Sequence, residues 1–175
     1  MNTPYNPLVS VIVISYQSSN YIFETLESVK AQSWGNIELI VSDDASTDGT
    51  FQIVSDWIKD NQERFTNTTI LGSSHNSGIP ANCAKGLSKA KGTWVKFIAA
   101  DDILIDTCIE DNITVAKENP DVSFIISDLI EIDAKSNIIR LSPENKGLKY
   151  FLQNQESKHK QLKAYARWPA FLNTP

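Results

Sequence analysis

Trp94-Val95-Lys96-Phe97-Ile98-Ala99-Ala100-Asp101-Asp102-Ile103-Leu104 reads as a strand that ends in two adjacent acids. Val95, Phe97 and Ile98 suit a buried strand, where β-branched and aromatic side chains pack well. The small pair Ala99-Ala100 lets the backbone run close to a neighbouring group, and Ala100 counts among the expected site residues. Asp101 and Asp102 follow at the carboxyl end, the side of an open α/β sheet on which ligands bind. Adjacent carboxylates repel and resist desolvation, and a divalent cation relieves both effects. Oxygen donors with coordination positions left for phosphate suit Mg²⁺ or Mn²⁺. The competing reading makes Asp101 or Asp102 the cap of a helix running through Asp106 to Asn119.

Upstream of this stretch the pattern alternates. Leu8 to Ser15 is a nearly unbroken apolar run of strand length, as in a parallel strand buried on both faces. Ser18-Ser19-Asn20 offers caps for a helix carrying Ile22, Leu26 and Val29. Ile37 to Ser42 is a second strand, running into Asp43-Asp44-Ala45-Ser46-Thr47-Asp48-Gly49-Thr50, a loop that leads to a helix with Phe51, Ile53, Val54, Trp57 and Ile58. In that loop Asp43 and Asp48 are expected to serve the turn and cap rather than a ligand. Thr68 to Leu71 is a short strand, His75 to Gly78 a turn, and Ala81 to Ala90 a helix closed by Lys91-Gly92.

Beyond the acid pair, Pro120 stops a helix. Val122 to Asp128 is a strand, and 129–133 with 138–141 form a pair about Ala134-Lys135-Ser136-Asn137. The alternation predicts a mainly parallel sheet with helices on both faces and right-handed crossovers. Trp34, Trp57 and Trp94 are expected in the core. Residues 8–141 form the expected core, and 142–175 the incomplete start of a second half, with no closing strand. There Tyr165, Trp168 and Phe171 predict an apolar patch through which copies would associate.

Bulk properties narrow the functional classes. The chain has 175 residues, a charged fraction of 21% and a net charge of -5, so a basic nucleic-acid-binding protein is not indicated. Cys83 and Cys108 form neither a metal spacing nor a disulfide framework, and buried thiols in a reducing, cytosolic setting are expected. No signal peptide or membrane-length apolar run is visible. The Lys-rich segment 158–163 suits a solvated face or contact with anionic lipid at the inner face of the membrane.

In a parallel sheet the ends Ser15-Tyr16, Asp43-Asp44 and Asp101-Asp102 share one edge. That edge combines an aromatic for stacking on a base, an acid to accept from a ring N–H and acids for a cation, which is what a nucleoside diphosphate requires. Ser15 to Asn20 lacks the glycines of a dinucleotide fingerprint, and no glycine-rich Lys-Ser/Thr loop is present. Phosphate charge must then be met another way, which favours a metal at Asp101 and Asp102.

Four segments in order now resemble one family. Val9 to Tyr16 resembles the opening strand of family 2 glycosyltransferases of the GT-A fold. Ser28-Val29 with Gln32-Ser33-Trp34 resembles their "S-hydrophobic…Q-T/S-aromatic" segment, and Glu38 to Thr50 their "ELIVVDDGSTDGT" signature. Asn76-Ser77-Gly78 through Gly86, Ala90 and Gly92 resembles the approach to their "DxD" strand. The resemblance implies that Ser15 and Tyr16 lie against base and ribose and that Asp44 bonds the base. It further implies that Asp101 ligates a Mn²⁺ or Mg²⁺ ion on the diphosphate, with Asp102 in support.

The resemblance also implies transfer with inversion from a nucleotide-diphosphate sugar, taken to be a UDP-sugar, to a hydroxyl of a glycan or lipid-linked acceptor in polysaccharide assembly. Two positions depart from the pattern. Ala99 replaces the first acid of "DxD", and Cys83-Ala84 replaces Arg-Asn, with Lys85 and Lys96 as substitute cations, each more usually a solvated surface lysine. The family's catalytic acid belongs to an "ED" pair past the segment like Trp168 to Pro175, so no residue here is assigned as base and the chain alone is expected to be inactive. The alternatives are a sugar nucleotidyltransferase, disfavoured by the missing glycine-rich loop, and a nucleotide-binding module without turnover.

Overall fold

The computed structural model describes residues 5–127, 129–141 and 170–173. They fall into two compact units, Met1–Ser123 with Phe171–Pro175, and Phe124–Ala170.

The first unit is built on a sheet in the order β3-β2-β1-β4-β8. Its strands are β1 (Val9–Ser15), β2 (Ile37–Asp43), β3 (Asn67–Gly72), β4 (Trp94–Ala99) and β8 (Ala170–Asn173). The first four are parallel, and β8 runs antiparallel to β4 with Phe171 opposite Lys96. β8 corrects the expectation that no strand closes the chain. Its place is made by backbone pairing with β4, which apolar periodicity does not encode.

The helices are α1 (Ile22–Lys30), α2 (Thr50–Asn61), α3 (Ile79–Leu87) and α4 (Cys108–Glu118). From β1 the chain steps outward to β2 and β3, then returns past β1 to β4. Right-handed crossovers then place α1 and α2 on one face and α3 on the other. On the α3 face Ile12, Ile40 and Val95 form a core with Phe97 and Ala90 packed against them. A Cβ on Gly86 of α3 would stand 2.5 Å from Ile12 Cγ2, so glycine is what lets this helix lie so close. On the other face Val9, Val11, Val13, Leu39 and Val41 are fully buried, as are Leu26 and Val29 of α1. Trp57 of α2 donates to Glu27 of α1 at 2.6 Å, so the two helices cover that face as a pair.

Three details differ from expectation. The helix α3 ends at Leu87, before Lys91-Gly92. Gly92 instead answers a close approach, since a Cβ there would lie 2.6 Å from the Ser10 backbone nitrogen. Its amide and that of Lys91 donate to Glu38, a buried carboxylate at the amino end of β2. The helix α4 begins only at Cys108, so neither Asp101 nor Asp102 caps it. Lys96 is not a solvated surface lysine, being 4% exposed within β4. Trp57 and Trp94 are buried as expected, while Trp34, also expected in the core, is half-buried. Cys108 is buried and Cys83 half-buried, both as free thiols.

The second unit contains β5 (Phe124–Ile126) and a hairpin of β6 (Ile130–Ile132) and β7 (Ile138–Leu141). Its turn is set by Asp133, whose carboxylate accepts the amides of Lys135 and Asn137. Tyr165, Trp168 and the lysines of 158–163 lie outside the described residues, as does most of 142–175. Among the described residues no helix is long and apolar enough to cross a membrane.

Candidate active site at the carboxyl edge of the sheet

The strand order reverses between β1 and β4. In open α/β sheets the crevice outside the carboxyl ends at such a switch point is where ligands bind. Ser15 pairs with Asp43, and Ile14 pairs with Ala99. The ladder continues one step, with Asp44 N–H donating to Ser15 O and Ala100 N–H to Ile14 O, both at 3.0 Å. This register brings Asp44 and Tyr16 level just past the ends of β2 and β1, and Asp101 lies in the turn that follows β4 on the same edge. At about 4.8 Å per strand, the ends of β2 and β4 stand about 10 Å apart along the edge, with that of β1 between them.

Tyr16 is 49% exposed, its ring open to a stacking partner. Ser15 is buried, and its hydroxyl donates to Asp43 Oδ1 at 2.9 Å. The other partner of Asp43 is Ser46, through both amide and hydroxyl. Ala100 is buried beside them. The loop after β1 is tied to the loop after β2 by Gln17, Ser18 and Ser19. Gln17 N–H donates to Ser46 Oγ, Ser18 N–H to Thr50 Oγ1 and Ser19 N–H to Asp48 Oδ2. Asp48 also accepts the amide and hydroxyl of Thr50 at the start of α2. Burial opposes its charge, but these donors outweigh burial and hold its carboxyl far below the ordinary range. Asp43 and Asp48 are thus turn residues, as their spacing suggests.

Asp44 is 2% exposed, and its carboxylate closes the turn before α3. Ser77 N–H and Gly78 N–H donate to Oδ2 at 2.9 and 2.8 Å, and Ser77 Oγ donates to Oδ1 at 2.7 Å. Burial would raise its pKa, and the Ser77, Gly78 and Ser73 donors outweigh it and lower the value. Ser73 Oγ also receives Lys85 Nζ at 2.8 Å, so this lysine stands one hydroxyl behind Asp44. Asn82 of α3, buried and absent from the sequence reading, donates to Ser42 O at 2.8 Å and Ser15 O at 3.3 Å. It braces the ends of β1 and β2 to the helix. A lone Asn inside a helix gives no periodic signal, which is why it escaped notice.

Asp101 and Asp102 are both exposed. Partial burial raises the pKa of Asp102 and the charge of Asp101 raises it further, against an opposing amide of Ala99 and the charge of Lys96. Among the described residues no cluster of three His, Cys, Asp or Glu side chains gathers anywhere. The donor set at this edge is therefore two hard carboxylates with open positions around them. That set fits a divalent ion completed by phosphate oxygens and water, and does not fit an all-protein cage.

Comparisons with known proteins identify the family and the fold. Over 108 residues the chain is 35% identical to the UDP-Glc:alpha-D-GlcNAc-diphosphoundecaprenol beta-1,3-glucosyltransferase WfaP of Escherichia coli, covering 61% of this chain and 40% of that one. The glycosyltransferase GlyG of Streptococcus pneumoniae is 33% identical over 104 residues, 59% of this chain and 33% of its own. Among solved structures, S. aureus TarS 1-349 in complex with UDP-GlcNAc superposes with a TM-score of 0.61 at 29% identity, over 72% of this chain and 36% of that chain. The mannosyltransferase PcManGT of Pyrobaculum calidifontis, solved with GDP-Man and Mn²⁺, gives 0.65 at 26% identity, over 73% and 37%. The chain thus spans well under half the length of each of these proteins. The fold is of the GT-A type. The model for "Glycosyl transferase family 2" matches residues 10–169, and with it the chain belongs to glycosyltransferase family 2.

Proposed function

We propose that this edge binds a nucleotide-diphosphate sugar, a UDP-sugar by preference, and presents it for metal-assisted transfer with inversion to an acceptor hydroxyl. The observation that carries the reading is that Asp44, Tyr16 and Asp101 follow the carboxyl ends of three neighbouring strands across the switch point. A nucleoside diphosphate laid along that edge puts its base at Tyr16 and Asp44 and its phosphates at Asp101. Tyr16 stacks on the base, Asp44 accepts a ring N–H, and Ser15 and Ala100 shape the floor. Asp101, with Asp102 in support, would hold a Mn²⁺ or Mg²⁺ ion, which when bound supplies positive charge to the leaving diphosphate. The PcManGT complex with Mn²⁺ supports a divalent ion at such a site.

The acids of this edge all have work other than base catalysis. Asp44 holds the turn before α3, and a carboxylate on a cation is a poor proton acceptor. We therefore assign no catalytic base among the described residues. Residues 8–141 are read as the nucleotide-sugar core and 142–175 as the start of the acceptor half. The acceptor class proposed is a glycan or lipid-linked acceptor at the cytoplasmic face of the membrane; the name of WfaP gives that relative a diphosphoundecaprenol-linked acceptor.

Calorimetric titration with UDP, GDP and dTDP, with and without Mn²⁺, tests the reading. Binding of UDP that strengthens with Mn²⁺ is the expected result. No binding of any of the three, or binding indifferent to the metal, overturns it.

A further inference from the structure

The acid pair is followed by a segment with no regular structure before α4 begins at Cys108. Burial alone does not fix its path. Leu104 is buried, but its neighbours Ile103 and Ile105 are 38% and 60% exposed. What fixes it is a row of hydrogen bonds to the end of α1 and the residues just after it. Leu104 N–H donates to Ser28 Oγ at 3.1 Å, and Gln32 Nε2 donates to Ile105 O at 2.8 Å. Ser33 N–H donates to Asp106 O at 2.8 Å, and Ile109 N–H donates to Gln32 Oε1 at 3.0 Å. Ser33 Oγ closes the row on Glu110 at 2.6 Å.

Ser28 and Gln32 are themselves held. Ser28 Oγ donates to Thr25 O, and Gln32 Nε2 also donates to Ser28 O. Both side chains are buried, at 8% and 4% exposed, where a polar group without partners would be costly. On the strand side, Asp102 N–H donates to Ala99 O, so the pair is strung between a fixed strand end and this latch.

We infer that Ser28 and Gln32 are positioning residues for Asp101 and Asp102. By fixing the backbone from Leu104 to Ile109 they aim the two carboxylates, and so set the metal-dependent part of nucleotide affinity. The inference rests on the metal reading of the acid pair. It goes beyond it by giving a role to a segment 70 or so residues away in sequence that touches neither base nor phosphate in that reading. Outer partners that orient metal ligands typically govern metal affinity by about 10–100-fold.

The experiment titrates Mn²⁺ into the chain at fixed UDP, and separately UDP without metal, in the parent, Gln32→Met, Ser28→Ala and Ser28→Thr. Hydrogen exchange over 103–109 is followed in parallel. Expected are a Mn²⁺ half-saturation raised about 10-fold or more in Gln32→Met, a smaller rise in Ser28→Ala, and recovery in Ser28→Thr, which keeps the hydroxyl. Metal-free UDP affinity should stay within about twofold of the parent, and exchange at Leu104 and Ile109 should quicken. Ser28→Ala removes one hydroxyl, which accepts from Leu104 N–H and donates to Thr25 O, and keeps the test open if Gln32→Met does not fold. A parent that answers to Mn²⁺ beside variants that answer equally overturns the inference and leaves the metal reading standing. A parallel fall in metal-free affinity assigns the two residues to general structure and also overturns it. A parent indifferent to Mn²⁺ overturns the metal reading and the inference together.

Discussion

Asp44→Asn separates the two duties given to Asp44. The carboxylate accepts two backbone amides on Oδ2 and a hydroxyl on Oδ1. An asparagine keeps the shape. Its oxygen can take the two amides, and its NH₂ then faces Ser77 Oγ, which can turn to accept. No bond need be lost, but each loses its charge. Bonds to charged groups contribute about 1.5–3 kcal/mol and neutral ones about 0.5–1.5. Ser77 is exposed, so water weakens the contrast, and a loss of about 1–2 kcal/mol of folding stability is expected.

The charge also has a pH signature. The folded-state pKa of Asp44 lies below its ordinary value. Its stabilising effect is therefore present above about pH 4, the unfolded value, and disappears as pH falls through the lower folded value. Below about pH 4 the variant's stability should fall less steeply than the parent's, by up to about 1.4 kcal/mol per pH unit. For the nucleotide, replacing an acceptor by a donor opposite a ring N–H should weaken UDP by about 1–3 kcal/mol. Urea unfolding followed by the fluorescence of buried Trp57 and Trp94, repeated from pH 2 to 7, reads the first two effects, and calorimetry reads the third. Unchanged stability and acid slope would refute the turn-closing role. Unchanged UDP affinity would refute the base contact while leaving the turn intact.

Three further outcomes follow from the geometry. Asp101→Asn should bind UDP with no gain from Mn²⁺, measured beside a parent that gains; equal gains would place the cation elsewhere. Gly86→Ala should lower stability by about 1–2 kcal/mol in urea unfolding, because its Cβ would sit 2.5 Å from the fully buried Ile12, an overpacking cost that exceeds the helix-propensity gain. Ala45→Gly should raise stability by about 1 kcal/mol in the same assay, since Ala45 holds a φ of 66, a conformation that costs a side chain more than glycine's added chain entropy.

How much of this was legible in the sequence depended on whether the information is periodic. β2 is buried along its whole length and β1 at every residue but Ile14, and such runs encode the strand directly. The three polar strand ends were legible for the same reason, because parallel register carries them to one edge whatever their side chains do. The limits of α3 and α4 were not legible. The acids before α4 and the Lys-Gly after α3 look like caps, yet Gly92 answers the close approach of Ser10, and it is Gln32 that accepts the Ile109 amide in the first turn of α4.

The division within the site follows the same physics. A side chain that meets a ligand must stand at a strand end, so its position can be counted from the pattern. One that braces the site can come from any element that passes nearby. Asn82 reaches Ser15 across 67 positions of sequence and Gln32 reaches Ile105 across 73. Asn82 lies on α3 and Gln32 just past the end of α1, and neither belongs to the apolar periodicity that marks those helices. The segment 28–34 was visible only as a family likeness, with no physical reason attached. Its reason lies in the hydrogen bonds from Ser28, Gln32 and Ser33 to the segment behind the acid pair. A glycosyltransferase edge of this type is therefore fixed twice, once by strand register and once by side chains that reach across to the loops, and only the register is written in the order of the residues.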